Sequence, residues 1–278
     1  MSRLRIAVAQ YSPVLGDRGA NLALAIKHVG LAHDAGAELL VLPELASSGY
    51  VFESSAEAKN MSQKADGEFG SSLSAAAGAG LTVVAGFAEE REGILFNSAM
   101  VVDESGVRAV YRKVHLFFNE KRWFQPGTQL LTVAFPWGTL GLAICYDLWF
   151  PEVVRTLALA GATVIAVPNN WVSSFKRTVF DEQGWCQANH IALATAAQNA
   201  VALACSDRVG EERGTRFLGC SCVVGPDGWL LAGPASQADD ALLVADLDTG
   251  AAAAARARTP LNDLHGDRAP LAYHVERV

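Results

Sequence analysis

A cysteine in the segment "AICYDLWFPE" has surroundings that suit nucleophilic chemistry. Cys145 follows an apolar strand pattern and precedes Pro151, a residue that suits the first turn of a helix. A thiol near a helix N-terminus gains from unpaired amide donors and the positive end of the helix dipole, which favour the thiolate. We expect the neighbouring Asp147 to face backbone amides rather than the sulfur. A buried cysteine that only packs against apolar neighbours fits the same spacing.

Two charged residues, Glu44 and Lys113, occur in apolar strand patterns. Glu44 ends the run "ELLVLPE", and partial desolvation there would raise the pKa of its carboxyl toward the range of a general base. In "YRKVHLF", strand alternation points Arg112 and Lys113 to opposite faces. An inward-facing lysine needs an anion or a developing oxyanion. A surface or capping acid at Glu44 and a solvated edge strand at Lys113 fit the same patterns.

Hydrophobic periodicity predicts the elements that must position these residues. Apolar runs rich in Val, Ile and Leu alternate with helical patterns, and turn residues such as Glu104-Ser105-Gly106 join some strand pairs. The predicted helices cover residues 21–35, 71–79, 151–160 and 180–197; the predicted strands lie at residues 5–11, 38–44, 82–89, 97–103, 107–116, 132–136, 139–147, 163–170, 200–207, 219–225, 229–233 and 241–248. The alike pairs "VVDESGVRAVY" and "VVGPDGWLLAG" suggest a weak internal duplication. Sheets inside, helices outside and one domain are expected.

Composition bounds the class of protein. Of the 278 residues, 51% are hydrophobic and 18% charged, which supplies a large core and argues against disorder. A formal charge of -7 without a Lys/Arg cluster argues against nucleic acid or an anionic membrane as the main partner. The N-terminal apolar run is too short for a secretory signal, and no stretch approaches the roughly 20 apolar residues of a membrane span. Because five cysteines without framework spacing suit a reducing compartment, we expect a cytoplasmic protein.

Taken in order, "LVLPELASSGY", "YRKVHLF" and "AICYDLWFPE" resemble the three signature segments of the nitrilase superfamily of carbon–nitrogen hydrolases. The resemblance runs from "IAVAQYSPVLGDRGANLA" to "NDLHGDRAP", nearly the whole chain. It implies a Glu–Lys–Cys catalytic set of Glu44, Lys113 and Cys145. Matching "NEKRWFQPG" to the family implies that Glu120 is a second glutamate, which helps position the lysine and the substrate.

The resemblance also implies a fold and an assembly. The fold is α/β, a four-layer α-β-β-α sandwich in a single carbon-nitrogen hydrolase domain over residues 1–278, and it pairs into homodimers or larger homo-oligomers. We expect a small-molecule amide as the partner, no cofactor and no metal. The implied reaction cleaves the C–N bond of a small linear amide to a carboxylate and ammonia through a thioester on Cys145.

Substrate-binding residues follow from the same matching. They are Tyr146, Asn170, Trp171, Tyr50 and Phe52. The backbone N–H of Tyr146 joins Lys113 at the oxyanion, while core packing fits Tyr50 and Phe52 as well as pocket lining does. Many relatives carry arginine where this chain has Trp149, which favours a neutral or apolar amide over a substrate with a carboxylate. Arg177 could supply a substitute charge.

Other functions remain as alternatives. An N-carbamoyl amino acid or amine amidohydrolase and a nitrile hydrolase would use the same residues, and a catalytically silent assembly module would use none of them. Cys220 and Cys222 lie one residue apart, unlike a redox pair or the usual zinc spacing. Cys186 and His190 have helical spacing but no second pair supports them. Core packing is the expected role of these four residues.

Overall fold

The computed structural model describes residues 3–173 and 179–273. The strands within these ranges are β1 Arg3–Gln10, β2 Leu39–Val41, β3 Thr82–Arg91, β4 Ile94–Asp103, β5 Gly106–Arg112, β6 Leu131–Phe135, β7 Gly138–Leu142, β8 Val164–Pro168, β9 Ala202–Ser206, β10 Glu211–Glu212, β11 Thr215–Arg216, β12 Cys222–Val224, β13 Leu230–Ala232, β14 Ala241–Asp248, β15 Ala257–Thr259 and β16 Asn262–Asp263. The α-helices are α1 Arg18–Asp34, α2 Ser55–Met61, α3 Glu68–Ala77, α4 Glu120–Trp123, α5 Pro151–Leu159, α6 Gln187–Asn199 and α7 Ala251–Arg256. Short 3-10 helices cover Cys145–Trp149 and Pro270–Ala272.

Two six-stranded sheets form the centre of the protein. The first has the order β14-β1-β2-β3-β4-β5 and the second the order β13-β12-β9-β8-β7-β6. Each sheet has two parallel pairings, β1-β2-β3 and β7-β8-β9, flanked by antiparallel ones. The alike segments of the sequence form the hairpins β4-β5 and β12-β13, which occupy equivalent places in the two sheets. This equivalence agrees with the duplication that the sequence suggested.

Alternation along the strands separates the layers. On β1, Leu4, Ile6 and Val8 belong to the core between the sheets. Their neighbours Ala7 and Ala9 face the other side, where residues of α1 and α3 cover the first sheet. Apolar residues of α5 and α6 pack on the second sheet in the same way. The expected α-β-β-α sandwich is confirmed.

Local sequence explains where the covering helices begin and end. The side chain of Asp17 caps α1 by accepting a hydrogen bond from the N–H of Ala20, and Gly36 follows the helix with a φ of 67°. Pro151 occupies the first turn of α5, as its spacing predicted. Over residues 3–173 and 179–273, no helix is both long enough and apolar enough to cross a membrane.

Some predicted boundaries are wrong. The helix expected from residue 180 begins at Gln187, because the Asp181 side chain accepts the N–H groups of Gln183 and Trp185 and holds a turn there. The strand expected to reach residue 147 ends at Leu142, and Cys145 starts a 3-10 helix instead. Pattern reasoning extends an apolar run until a breaker residue, so it overran a turn that contains neither Gly nor Pro.

Candidate active site

Glu44 lies in the turn that follows β2, with its side chain fully buried. Its Oε1 accepts hydrogen bonds from Lys113 Nζ and from Asn97 Nδ2, each at 2.6 Å. Its Oε2 is buried and has no hydrogen-bond partner among the described residues. One carboxylate oxygen is therefore held by two donors, and the other is open to accept a proton.

Close backbone packing places this turn. A Cβ built on Gly86 of β3 would lie 2.5 Å from the Cα of Glu44, the backbone N of Leu45 and the carbonyl O of Pro43. The N–H of Gly86 donates to that same carbonyl at 3.2 Å. A glycine is required at this position because the Glu44 turn lies directly against the strand.

Lys113 comes directly after β5 and is completely buried. Its Nζ lies 2.6 Å from Glu44 Oε1 and 2.9 Å from Glu120 Oε1, so the ammonium is shared by two carboxylates. The preceding Arg112 points to the other face and pairs with Glu89. Alternation therefore turns the lysine inward, as one of the two interpretations of "YRKVHLF" predicted.

Glu120 begins α4 and is the second carboxylate on the lysine. Its Oε1 also accepts a hydrogen bond from the Tyr50 hydroxyl at 2.6 Å, and its Oε2 accepts the N–H of Phe117 at 3.2 Å. Both oxygens are thus held by donors, unlike those of Glu44. This arrangement leaves Glu120 suited to orienting Lys113 rather than to taking a proton.

Cys145 is the first residue of the 3-10 helix after β7 and has a φ of 46°, in the left-handed region. Asp147 holds the turn: its Oδ2 accepts the N–H of Ile144 at 3.0 Å and the Tyr111 hydroxyl at 2.7 Å. Its Oδ1 accepts the N–H and Nδ1 of His115, at 2.9 and 2.8 Å. Asp147 therefore faces donors, as expected, and ties the cysteine turn to the segment that carries Lys113.

Burial and charge set the protonation states. Desolvation raises the pKa of Glu44 to about 7, although the Lys113 ammonium opposes the rise. Burial by itself would lower the pKa of Lys113, but the carboxylates of Glu120 and Glu44 outweigh it and the pKa is raised. Desolvation, followed by the charge of Glu44, holds the pKa of the Cys145 thiol well above its ordinary value. A pKa raised in this way favours the thiol over the thiolate, which is opposite to the effect expected near a helix N-terminus.

A cavity of about 160 Å³ opens onto the Cys145 thiol. Apolar and aromatic side chains dominate its lining, which includes the predicted residues Tyr146, Asn170 and Trp171 together with Trp149. The Asn170 side chain donates to the carbonyl O of Glu44 at 3.0 Å, and its backbone N–H lies in hydrogen-bonding reach of the sulfur. This volume is small beside the roughly 300–1,000 Å³ of drug-sized pockets, so it fits a small substrate.

Tyr50 and Phe52 line a neighbouring cavity of about 260 Å³ rather than the one at the thiol. The two cavities share the walls Phe117 and Val172. Tyr50 reaches the site through Glu120, whereas Phe52 is buried and packs edge-on against Phe124. The structure thus brings Tyr50 to the cluster of Glu44, Lys113 and Glu120 and gives Phe52 a packing contact. Arg177 lies outside the described residues.

Sequence reasoning missed Asn97, which holds Glu44, and Phe117, which separates the two cavities. A usable signal for Asn97 was present, since it is an amide at an inward position of the apolar strand "NSAMVVD". Phe117 had no such signal, because an aromatic residue in an apolar run reads as core.

Four further thiols make none of the contacts described above. Cys186, Cys205, Cys220 and Cys222 are buried and free. His190 is exposed and pairs with Asp181, so the core packing expected of it is wrong. Among the described residues, no group of three or more His, Cys, Asp or Glu side chains could hold a metal ion.

Comparison with known proteins identifies relatives along most of the chain. The family model described as carbon-nitrogen hydrolase matches residues 5–257. A nitrilase of Pyrococcus abyssi is 38% identical over 269 residues, which are 95% of this chain and 97% of the relative. An N-carbamoylputrescine amidase of Solanum tuberosum is 30% identical, with 89% and 87% of the two chains covered.

One group of solved structures adds a chemical observation. A variant of the amidase from Nesterenkonia sp. AN1 superposes with a TM-score of 0.76 at 29% identity, covering 96% of this chain and 98% of that one. That structure shows the product of Michael addition of acrylamide at the active-site cysteine of the amidase.

Proposed function

This chain belongs to the carbon-nitrogen hydrolase family, within the nitrilase superfamily, and we propose that it hydrolyses a small neutral amide through a thioester on Cys145. The observation that carries the proposal is the buried cluster in which Lys113 bridges Glu44 and Glu120 beside the thiol. Its parts match what acyl transfer needs: a nucleophile, a base with one open oxygen, and a fixed cation.

The first half of the reaction forms the thioester. Glu44 Oε2 takes the thiol proton as the sulfur of Cys145 attacks the carbonyl carbon of the amide. The Lys113 ammonium and the backbone N–H of Tyr146 stabilise the negative charge that develops on the carbonyl oxygen. Glu44 then returns its proton to the leaving nitrogen, the C–N bond breaks, and ammonia departs.

The second half restores the enzyme. Glu44 takes a proton from water, the hydroxide attacks the thioester carbon, and the sulfur leaves and regains the proton. The carboxylate product departs, and the net reaction consumes one water for each amide. A pKa near 7 suits Glu44 to both directions of proton transfer, because neither form of the carboxyl is strongly favoured at neutral pH.

The cavity supports a neutral acyl group. None of the described lining residues is Lys or Arg, and Trp149 stands in the lining. A substrate carboxylate buried against these described lining residues would lose water without gaining an ion pair from any of them. The nitrilase and the N-carbamoylputrescine amidase among the relatives make nitriles and carbamoyl compounds the comparison substrates.

Ammonia release from aliphatic amides, aryl amides, N-carbamoyl amino acids, N-carbamoyl amines and nitriles tests the proposal. We expect turnover to be highest on neutral amides, and an acyl adduct on Cys145 by intact mass. Cys145→Ala should abolish both signals. Cys222→Ala, which removes a buried thiol elsewhere, is the matched control and should retain them. Ammonia release by Cys145→Ala at the wild-type rate refutes the mechanism, and exclusive turnover of carbamoyl acids refutes the substrate class.

The predictions of a homodimer or larger assembly and of a cytoplasmic location belong to the same proposal. Light scattering on the purified chain tests the first, and fractionation of the source cells tests the second.

A further inference from the structure

Asn97 is a buried amide in the middle of β4. Its neighbours at alternate positions, Ala99 and Val101, belong to the apolar core between the sheets, so Asn97 points into the same space. Ser98 points the opposite way and donates to Glu89 at 2.6 Å. A buried amide on an apolar strand face costs stability, and Asn97 Oδ1 has no hydrogen-bond partner among the described residues, so the contacts that Asn97 does make indicate why an amide is present.

Those contacts are made with two residues of the catalytic cluster. Asn97 Nδ2 donates to Glu44 Oε1 at 2.6 Å. The carbonyl O of Asn97 accepts the backbone N–H of Lys113 at 2.9 Å. One residue therefore fixes the side chain of the base and the backbone of the lysine.

The consequence for Glu44 is a difference between its two oxygens. Both donors, from Asn97 and Lys113, meet on Oε1, while the buried Oε2 has no partner in the described part of the chain. The terminal torsion of a glutamate is broad and nearly two-fold, so a single donor would let the carboxylate exchange its oxygens. With two donors, rotation would break two charge-assisted hydrogen bonds at once.

We propose that Asn97 is a positioning residue that, with Lys113, locks the Glu44 carboxylate so that Oε2 is the oxygen that exchanges protons with thiol and leaving group. The inference rests on the proposed function, because it concerns the base of that reaction. A misplacement of about 1 Å at a reacting group costs on the order of 100-fold in rate, so locking one oxygen has kinetic value.

The same hydrogen bond acts on the charge of Glu44. It favours the ionised carboxylate and lowers the pKa, against the desolvation that raises it. The ionisable groups that act on the pKa of Glu44 are Lys113 and Glu120. Three further groups lie close enough for the charge of Glu44 to raise their own pKa values: Tyr50, Cys145 and Asp207. Loss of the Asn97 amide leaves those groups in place, so the carboxyl should hold its proton to higher pH.

The test compares Asn97→Leu and Asn97→Asp with the control Ser98→Ala. Leucine keeps the branched shape and the number of heavy atoms and removes the donor. Aspartate keeps the shape and places a second carboxyl against Glu44. For Asn97→Leu we expect the acid limb of kcat/KM to move up by about 1–2 pH units, with kcat at pH 7 down about 10- to 100-fold and KM within about threefold. Asn97→Asp should lose more, because two adjacent carboxyls share a proton. Ser98→Ala should keep the wild-type limb.

The outcomes separate two failures. If Cys145→Ala retains activity, the proposed function fails before Asn97 is tested. If Cys145→Ala is inactive and the acid limb of Asn97→Leu stays within about 0.3 units of wild type, the positioning role is wrong. An equal shift of the acid limb in Ser98→Ala also contradicts the positioning role, because any substitution in β4 would then produce the shift. If Asn97→Leu does not fold, the acid limb of kcat/KM is measured on Asn97→Asp instead. An acid limb that matches wild type then shows that the positioning role is wrong.

Discussion

The packing of Gly86 against the Glu44 turn gives a sharp prediction about the placement of the proposed base. In Gly86→Ala, the new methyl carbon would lie 2.5 Å from three backbone atoms of residues 43–45, whereas ordinary contacts begin near 3.4 Å. Those atoms belong to backbone and not to a flexible side chain, so the turn must move about 0.9 Å away from β3. Glu44 moves with it.

The magnitude follows from that displacement. A shift near 1 Å at the base should reduce kcat/KM on the order of 100-fold. Overpacking a tight core contact costs about 1–3 kcal/mol of unfolding free energy, because the surroundings relax only in part. Activity should therefore fall far more than stability, since the turn can move without the sheets coming apart.

The assay measures kcat/KM on a neutral amide and the urea midpoint for Gly86→Ala beside Gly30→Ala. Gly30 lies in α1 with nothing within 4 Å of a built Cβ, so alanine there should leave activity unchanged and stabilise the helix by about 0.4–1 kcal/mol. A Gly86→Ala protein with wild-type kcat/KM would show that the position of Glu44 is not limiting. Equal fractional losses of kcat/KM and of stability in Gly86→Ala would show that the substitution destabilises the whole protein and does not act through Glu44.

Three further predictions concern charge and specificity. Because Glu44 must be ionised to accept the thiol proton, kcat/KM should rise with pH through an apparent pKa of about 7. A rise of kcat/KM near the ordinary pKa of glutamate would contradict a desolvated base. Asp147→Asn should lower the unfolding free energy in urea by about 3 kcal/mol. Each carboxylate oxygen of Asp147 accepts from two donors, so the amide nitrogen of asparagine would lie against two donors that it cannot accept from. An unchanged urea midpoint would show that other groups can replace these hydrogen bonds. Trp149→Arg should raise kcat/KM on N-carbamoyl amino acids relative to neutral amides by about tenfold or more; an unchanged ratio would mean that residue 149 does not select the acyl group.

Local rules made burial of Glu44 and Lys113 one of two open interpretations of their patterns. A carboxylate after an apolar strand can be buried at the strand end or lie at the surface, and alternation sends Lys113 inward here because Arg112 has its partner, Glu89, on the other face. The contact between the two residues was a different matter. It joins positions 69 residues apart, and only the family resemblance suggested it.

The rest depended on tertiary detail. The raised pKa of Cys145 follows from burial and from the charges of three neighbours that are distant in sequence. The start of α6 was set by the Asp181 turn, a side-chain contact that periodicity does not see. Tyr50 and Phe52 lie in one segment, yet Tyr50 contacts Glu120 and Phe52 packs against Phe124. The composition of a loop does not determine its backbone conformation, so these contacts could not be predicted.

The residues of the proposed active site come from both sheets: Glu44 and Lys113 follow strands of the first, while Cys145 and Asn170 follow strands of the second. Turnover therefore depends on the relative position of the two sheets. A remote substitution in the layer between them, or a mild denaturant, could slide one half by an ångström and silence the enzyme while its circular dichroism stayed native. A mutation in that layer should therefore reduce activity, by displacing one sheet against the other, before it unfolds the protein.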